Sequence, residues 1–289
     1  MLKIKDVYKV FNVNTINENR VFDGFSLQVE KGEYVSIIGS NGAGKSTLLN
    51  LITGNLPVDS GSIMIDGEEV VKKEEYYRCR YIGRVFQNPS VGVAPNMNIL
   101  ENMSLADNKG KPYGIKFAID KKRINYYKEE LKRLNLGLED KLYNKDHDDF
   151  VNALKDLDIG LEDRLTTKVG TLSGGQRQAL TLIMAVMSNP KILLLDEHTA
   201  ALDPKTSIKI MDITNKIIEE KKITTLMVTH NIKQAIESGN RLIMMHEGKT
   251  IIDVSKEEKA KLNRDRLIEM FGKANMEDVL SDRSLLSTF

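Results

Sequence analysis

The chain has 289 residues, enough for one large or two modest domains with a sizeable core. Its 42 Lys and Arg against 41 Asp and Glu leave a formal charge of +1, so no global basic field points to nucleic acid. With 41% hydrophobic and 29% charged residues the composition argues against long disorder, and no apolar run approaches the roughly 18 residues of a membrane-spanning helix. The start, Met1-Leu-Lys-Ile-Lys-Asp, lacks the apolar stretch of a secretory signal, so the chain reads as cytoplasmic. Its one cysteine, Cys79, makes neither an internal disulfide nor a structural zinc site by itself.

In chain order, the first ninety residues alternate short β-rich runs with turn signals. Val21 to Val29 and Ser62 to Gly67 alternate apolar and polar side chains, as half-buried strands do. Between them, Tyr34-Val-Ser-Ile-Ile-Gly is a nearly continuous apolar run, which predicts a central strand covered on both faces. From about Leu100 to Lys168, Lys, Glu and Leu at helical spacing replace the β signals and predict a helical subdomain. Inside it, Leu131-Lys-Arg-Leu-Asn-Leu-Gly-Leu-Glu-Asp-Lys-Leu returns 23 residues later at Leu154, with eight of twelve positions identical. Two copies are too few for a solenoid and read as a local tandem duplication. Lys109 to Arg123 holds six basic residues against one acidic, which reads as a solvated helical face, with contact with anionic lipid as the alternative. Lys191-Ile-Leu-Leu-Leu-Asp and Thr225-Leu-Met-Val-Thr-His are two further buried strands, each after a helical segment, which implies parallel pairing through helical crossovers. After Asp253 the chain is charged and helix-prone through Phe271 and then polar. The fold class is therefore α/β, with a β-rich annex.

Gly39-Ser40-Asn41-Gly42-Ala43-Gly44-Lys45-Ser46-Thr47 matches the phosphate-loop pattern G-x-x-x-x-G-K-[ST] and lies between a predicted strand and the helix-prone Leu48-Leu-Asn-Leu-Ile. Its glycines let successive amides turn inward around phosphate oxygens, and the following helix points its positive end at the same anion. Lys45 adds a charge for the β and γ phosphates, and the Ser46 hydroxyl suits Mg²⁺. The run ending in Asp196-Glu197 is the partner element. Asp196 is placed to hold the metal through water or Ser46, while Glu197 can face the γ phosphate and deprotonate an attacking water. None of the Asn-Lys pairs starting at 108, 144 and 215 has Asp two residues after its lysine, so the guanine-reading Asn-Lys-x-Asp motif is absent and ATP is favoured.

Leu172-Ser173-Gly174-Gly175-Gln176 lies before a helix-prone run, with Ser173 suited to cap that helix and the two glycines to close approach of a phosphate. With it the chain resembles the ATP-binding cassette (ABC) ATPases over nearly its whole length. The resemblance implies a RecA-like parallel-sheet core, an N-terminal antiparallel β subdomain and an inserted α-helical subdomain. It places the nucleotide-binding domain at 2–271, the helical subdomain at about 88–175 with the repeat 131–142/154–165, and a tail at 272–289. Phe11 matches the aromatic that stacks on adenine, usually Tyr in the family. Gln87 matches the glutamine that senses Mg²⁺ and the γ phosphate, Asp203 the loop that crosses the dimer interface, and His230 the switch histidine on the γ phosphate. Ser173, Gly174, Gly175 and Gln176 would complete the phosphate site of a second copy in trans. One departure is His198, where most relatives have proline; both carboxylates before it are intact.

The resemblance further implies Mg²⁺-dependent ATP hydrolysis, an ATP-dependent dimer, separate transmembrane permease subunits, and an extracellular binding protein acting indirectly, with no nucleic acid partner. It also implies a peripheral location on the cytoplasmic face of the membrane. Gly83-Arg-Val-Phe-Gln, Ala94-Pro-Asn-Met, Asp196-Glu-His-Thr-Ala-Ala-Leu-Asp-Pro-Lys-Thr and Met244-Met-His-Glu-Gly look like the ATPase component of bacterial uptake systems assigned to tryptophan or tyrosine, a subgroup in which His198 is normal. The alternatives are an exporter ATPase and a soluble ABC ATPase acting on ribosomes or DNA. Soluble members usually carry two cassettes or a long coiled-coil or zinc-hook insertion, and this chain has neither.

No phosphate-contacting motif falls between Leu131 and Leu165, so one copy of the repeat is expected to be dispensable. Excising Leu131 through Ala153 joins Glu130 to Leu154-Lys-Asp-Leu and restores one uninterrupted segment before the signature. The deletion should retain ATPase activity. A melting temperature lower by more than about 8 °C, beyond what 1 kcal/mol produces in a chain of this size, or a loss of ATPase activity, would refute dispensability.

Overall fold

The computed structural model describes residues 1–110, 121–135, 161 and 164–273. Most of the repeat (136–160, 162 and 163), the stretch 111–120 of the basic segment and the tail from 274 lie outside the described residues. The chain divides into two compact units. The first comprises Met1–Gly83, Lys191–Glu197 and the chain from Ile218 onward, and the second Arg84–Pro190 and His198–Ile217.

The first unit holds an antiparallel sheet of β1 (Leu2–Phe11), β2 (Asn19–Val29), β4 (Ser60–Ile65) and β5 (Glu68–Glu69), in the order β2-β1-β4-β5. The alternation of Leu2, Ile4 and Val7 with exposed Lys3 and Lys5 buries one face of β1 only. A six-stranded sheet runs β10-β9-β3-β8-β7-β6, with β3 (Tyr34–Gly39), β6 (Ile82–Val85), β7 (Ile192–Asp196), β8 (Thr224–Val228), β9 (Arg241–His246) and β10 (Lys249–Val254). β9, β3, β8 and β7 pair in parallel, and β10 returns antiparallel on β9. Every residue of β3 and β8 is buried, as expected of strands covered on both faces.

Alternate residues of these strands enter different cores. Ile37, Ile243 and Met245 pack with Leu48, Leu49 and Ile52 of helix α1 (Lys45–Thr53) and with Leu2, Ile4, Phe22 and Ile63 of the antiparallel sheet. Ile38, Leu242 and Met244 face the opposite way, toward Ile232, Ala235, Leu262 and Leu267. Membership of β3 in both cores explains why its sequence reads as an unbroken apolar run rather than an alternating one.

In the second unit, α3 (Ile99–Asp107) starts on a capping box in which the Asn98 side chain accepts from the Glu101 N–H and the Glu101 carboxylate accepts from the Asn98 N–H, both at 2.8 Å. Buried Asn102 accepts from the Ala94 N–H and donates to the Ala94 carbonyl, which pins the loop ahead of the helix. The helices Lys121–Asn135 and Gly174–Met187 pack with α3. Among the described residues no helix is long and apolar enough to cross a membrane.

Arg78, at the end of the short helix α2 (Glu75–Arg78), is 2% exposed and was not legible as a structural residue in the sequence. Its guanidinium donates to the carbonyls of Leu51, Ile52, Lys73 and Val71, so it satisfies the C-terminal end of α1 and the strand-to-helix loop together. Arg78→Ala leaves those buried carbonyls unpaired and is expected to cost about 3 kcal/mol. The melting temperature followed by circular dichroism should fall by roughly 6–12 °C. Arg78→Lys should recover little, since one ammonium cannot span four acceptors.

Candidate functional site

The C-terminal ends of three neighbouring parallel strands carry the residues of interest in the first unit. β3 ends at Gly39 and opens the phosphate loop, β7 ends at Asp196 opposite Val228, and His230 follows β8 by two residues. The C-terminal edge of such a sheet is where α/β folds present ligand-binding loops.

The loop turns sharply at Gly39, whose φ is 153°. A β carbon there would lie 2.1 Å from the Met245 carbonyl oxygen, so only glycine fits between β3 and β9. Helix α1 begins after Gly44 with no side-chain cap, and its first-turn N–H groups are therefore open to an anion rather than to a neighbouring oxygen. Lys45 is buried, with Nζ donating to the Gly39 carbonyl at 2.6 Å and the Ser40 carbonyl at 2.8 Å. Asn41, Gly42 and Ser46 are exposed, Thr47 and Ser40 half-buried, and Ala43 buried, with its carbonyl accepting from the Gly248 N–H at 3.2 Å.

Glu197 has a left-handed backbone, φ 45°, and its N–H donates to the Val228 carbonyl at 2.9 Å. This turn directs its half-buried carboxylate to His230, whose Nδ1 is 3.2 Å from Oε2. The hydrogen bond from His230, stronger than the opposing effect of burial, holds the Glu197 carboxyl below the usual glutamate range, with Lys45 adding to the effect. The same hydrogen bond raises His230 above the ordinary histidine value. Lys45, Glu197 and His230, singled out separately in the sequence, thus form one electrostatic cluster. Asp196 is half-buried at the end of β7. Phe11 ends β1, half-buried, with Lys9 Nζ 5.4 Å from its ring centroid.

The other residues singled out in the sequence lie in the second unit. Gln87 is exposed just beyond β6. Ser173 caps the helix Gly174–Met187 by accepting from the Gln176 N–H at 3.2 Å, and the Gln176 side chain accepts from the Ser173 N–H at 3.0 Å. Gly174 lies against Leu202, and a β carbon on Gly175 would meet Thr206 Cγ2 at 2.4 Å, so the signature and the loop bearing Asp203 pack together. Asp203 is exposed and caps the helix Pro204–Lys221 by accepting from the Thr206 N–H at 3.1 Å, with its carboxyl held low by bonds from Thr206. His198 is buried with Nε2 3.2 Å from Thr214 Oγ1, and burial pushes its pKa down to about 4, so it is neutral. Thr214 already donates to the Ile210 carbonyl at 2.7 Å, which leaves its oxygen to accept and assigns the proton of His198 to Nε2. Nothing in the sequence around 198 marks this bond, because its partner lies 16 residues on.

Among the described residues no group of three or more His, Cys, Asp or Glu forms a metal cage. The Ser46 hydroxyl and the Asp196 carboxylate are nonetheless hard oxygen donors, and a Mg²⁺ held by one or two protein oxygens, water and phosphate needs no such cage.

Residues 22–200 match the ABC transporter family. The chain is 45% identical over 271 residues, covering 94% of it and 98% of the relative, to a tyrosine transport ATP-binding protein of Clostridioides difficile (strain R20291). It is 34% identical to a methionine import ATP-binding protein of Clostridium tetani (strain Massachusetts / E88), over 85% of this chain and 66% of that one. A dimeric structure of an ATP-binding cassette in a post-hydrolysis state, bound to ADP and Pi, superposes with a TM-score of 0.69 at 28% identity, covering 89% of this chain and 99% of that one.

With Glu197 ionised beside it, His230 should titrate above the ordinary value of about 6.5, and Glu197→Gln should bring the midpoint back down. Imidazole chemical shifts followed against pH test this. The stabilisation from the raised His230 is full below its unfolded pKa and is lost as pH rises through the folded one. That from the lowered Glu197 is full above its unfolded pKa and is lost as pH falls through the folded one. The pair therefore stabilises most between the two ordinary values, at mildly acidic pH.

Proposed function

The chain belongs to the ABC transporter family, and on that premise we propose that it is the ATP-hydrolysing subunit that energises uptake of an amino acid, of the aromatic type. ATP-binding cassettes hydrolyse ATP, and importer subunits are the relatives of this chain. The cluster of Lys45, Glu197 and His230 at the C-terminal strand ends is the observation that carries the catalytic reading.

In this reading the loop amides and Lys45 bind the β and γ phosphates, Phe11 stacks on adenine, Ser46 and Asp196 would hold Mg²⁺, and Gln87 keeps the metal-sensing role that the family resemblance implies. The metal would supply charge neutralisation between the phosphates. Glu197, ionised and hydrogen-bonded to His230, takes a proton from the attacking water at its carboxylate oxygen. His230 orients that carboxylate and offers its other nitrogen to the γ phosphate. Ser173, Gly174, Gly175 and Gln176 of a second copy close the nucleotide site in trans, and Asp203 lies in the loop between copies. The relative that carries the word tyrosine in its name supports an aromatic amino acid as cargo. Permease subunits are separate chains, which holds this one to the inner face of the membrane as a peripheral subunit, and an extracellular binding protein acts through the permease.

Glu197→Gln is expected to keep ATP binding and lower turnover by about 10²-fold or more, with a persistent ATP-bound dimer on size-exclusion chromatography. Turnover near wild type would overturn Glu197 as the base. Lys45→Ala should weaken binding itself, read by titration with a fluorescent ATP analogue. For the cargo, cells lacking the chain should lose uptake of labelled tyrosine or tryptophan and regain it with the wild type but not with Glu197→Gln; uptake unchanged by the deletion would refute the amino-acid assignment.

A further inference from the structure

The end of β9 and the turn into β10, His246-Glu247-Gly248, lie against the phosphate loop and carry an imidazole with no part in the chemistry above. β9 runs parallel to β3 with Met245 opposite Gly39, so the next residues of the two strands, His246 and Ser40, emerge side by side. Ser40 Oγ and His246 Nδ1 are 3.5 Å apart. The same turn donates the Gly248 N–H to the Ala43 carbonyl at 3.2 Å, and the Met245 carbonyl closes on Gly39. The His246 side chain is 18% exposed, wedged at the loop, with the Glu247 carboxylate 4.0 Å from its Nε2.

On its other side the loop is held by Lys45, which donates to the Gly39 and Ser40 carbonyls. A phosphate that draws the ammonium toward itself weakens those two bonds. The contacts that do not involve Lys45, at Ser40 and Ala43, then keep the loop in shape.

We propose that His246 is a positioning residue of the phosphate loop: it seats Ser40 while Lys45 engages phosphate, and so sets affinity for ATP and ADP without touching the attacking water. The inference rests on the reading of the loop as the nucleotide site.

The test uses the full chain as wild type, His246→Ala, His246→Asn, Ser40→Ala, the double variant His246→Ala/Ser40→Ala, and Lys45→Ala. Dissociation constants for ATP and ADP come from displacement of a fluorescent ATP analogue, with KM, kcat and melting temperature measured alongside. His246→Ala should raise Kd and KM about 3- to 10-fold, the scale of one hydrogen bond, and leave kcat within about twofold. His246→Asn, whose side-chain amide reaches about where Nδ1 lies, should recover most of the affinity. The double variant should bind no worse than the weaker of its two single variants, because both remove one contact. Wild-type affinity in His246→Ala overturns the proposal, as does a fall in kcat with KM unchanged, or a melting temperature lowered by more than about 4 °C that His246→Asn does not restore. If Lys45→Ala binds nucleotide as wild type does, the reading of the loop itself fails. If Lys45→Ala loses affinity while His246→Ala keeps it, only the role of His246 fails.

Discussion

Gly39 lies so close to the Met245 carbonyl that a β carbon there would be 2.1 Å from its oxygen, and the geometry of the phosphate loop depends on this approach. With no β carbon at 39, β3 can run flush against β9 to its last residue and turn within one step into the loop. Lys45 then folds back on the two carbonyls just passed, and α1 starts with its amides uncapped. A side chain at 39 would displace either the strand or the turn, and the loop amides would no longer converge. The apolar packing of Leu48, Leu49 and Ile52 beneath α1 holds the helix end at this spot.

Around that loop Lys45, Glu197 and His230 are arranged as one electrostatic cluster. Lys45 is buried, with its ammonium donating to the Gly39 and Ser40 carbonyls and its charge helping to hold Glu197 ionised. Glu197 is kept ionised by His230 although it is half-buried. A depressed pKa makes a carboxylate a weaker base, so the base role proposed for Glu197 rests on position rather than on proton affinity. The left-handed backbone at Glu197, rare for a residue with a side chain, is what turns the carboxylate toward His230.

The second unit shows the same economy in its signature segment. Ser173 and Gln176 satisfy each other's backbone N–H groups, so the helix behind them begins at a defined residue. Gly175 lets Thr206 approach, which couples the signature to the start of the helix that Asp203 caps. Gln178, two residues further along the same helix, is buried and donates to the Phe86 carbonyl at 3.3 Å, next to Gln87. Three segments distant in sequence are thereby joined by short contacts.

Much of this was legible in the sequence, because the strands β3, β7 and β8 are apolar runs whose ends bear chemically distinctive residues. The order strand, glycine loop, Lys45, helix and the run into Asp196-Glu197 are local patterns set by backbone sterics and hydrophobic periodicity. The hairpin Arg241–Val254 was not read, nor the role of Arg78, nor the bond between His198 and Thr214. The pairing of Glu197 with His230 could be anticipated as two residues of one site, but its direction of charge could not. The sequence by itself determined which residues take part in the phosphate loop and its carboxylates, since these follow from residue type and local spacing. Only the tertiary structure decided what lies against them: Met245, His246 and Gly248 come to the loop from some two hundred residues away because parallel pairing of β9 with β3 brings their ends together, and no local pattern encodes which strand will be the neighbour.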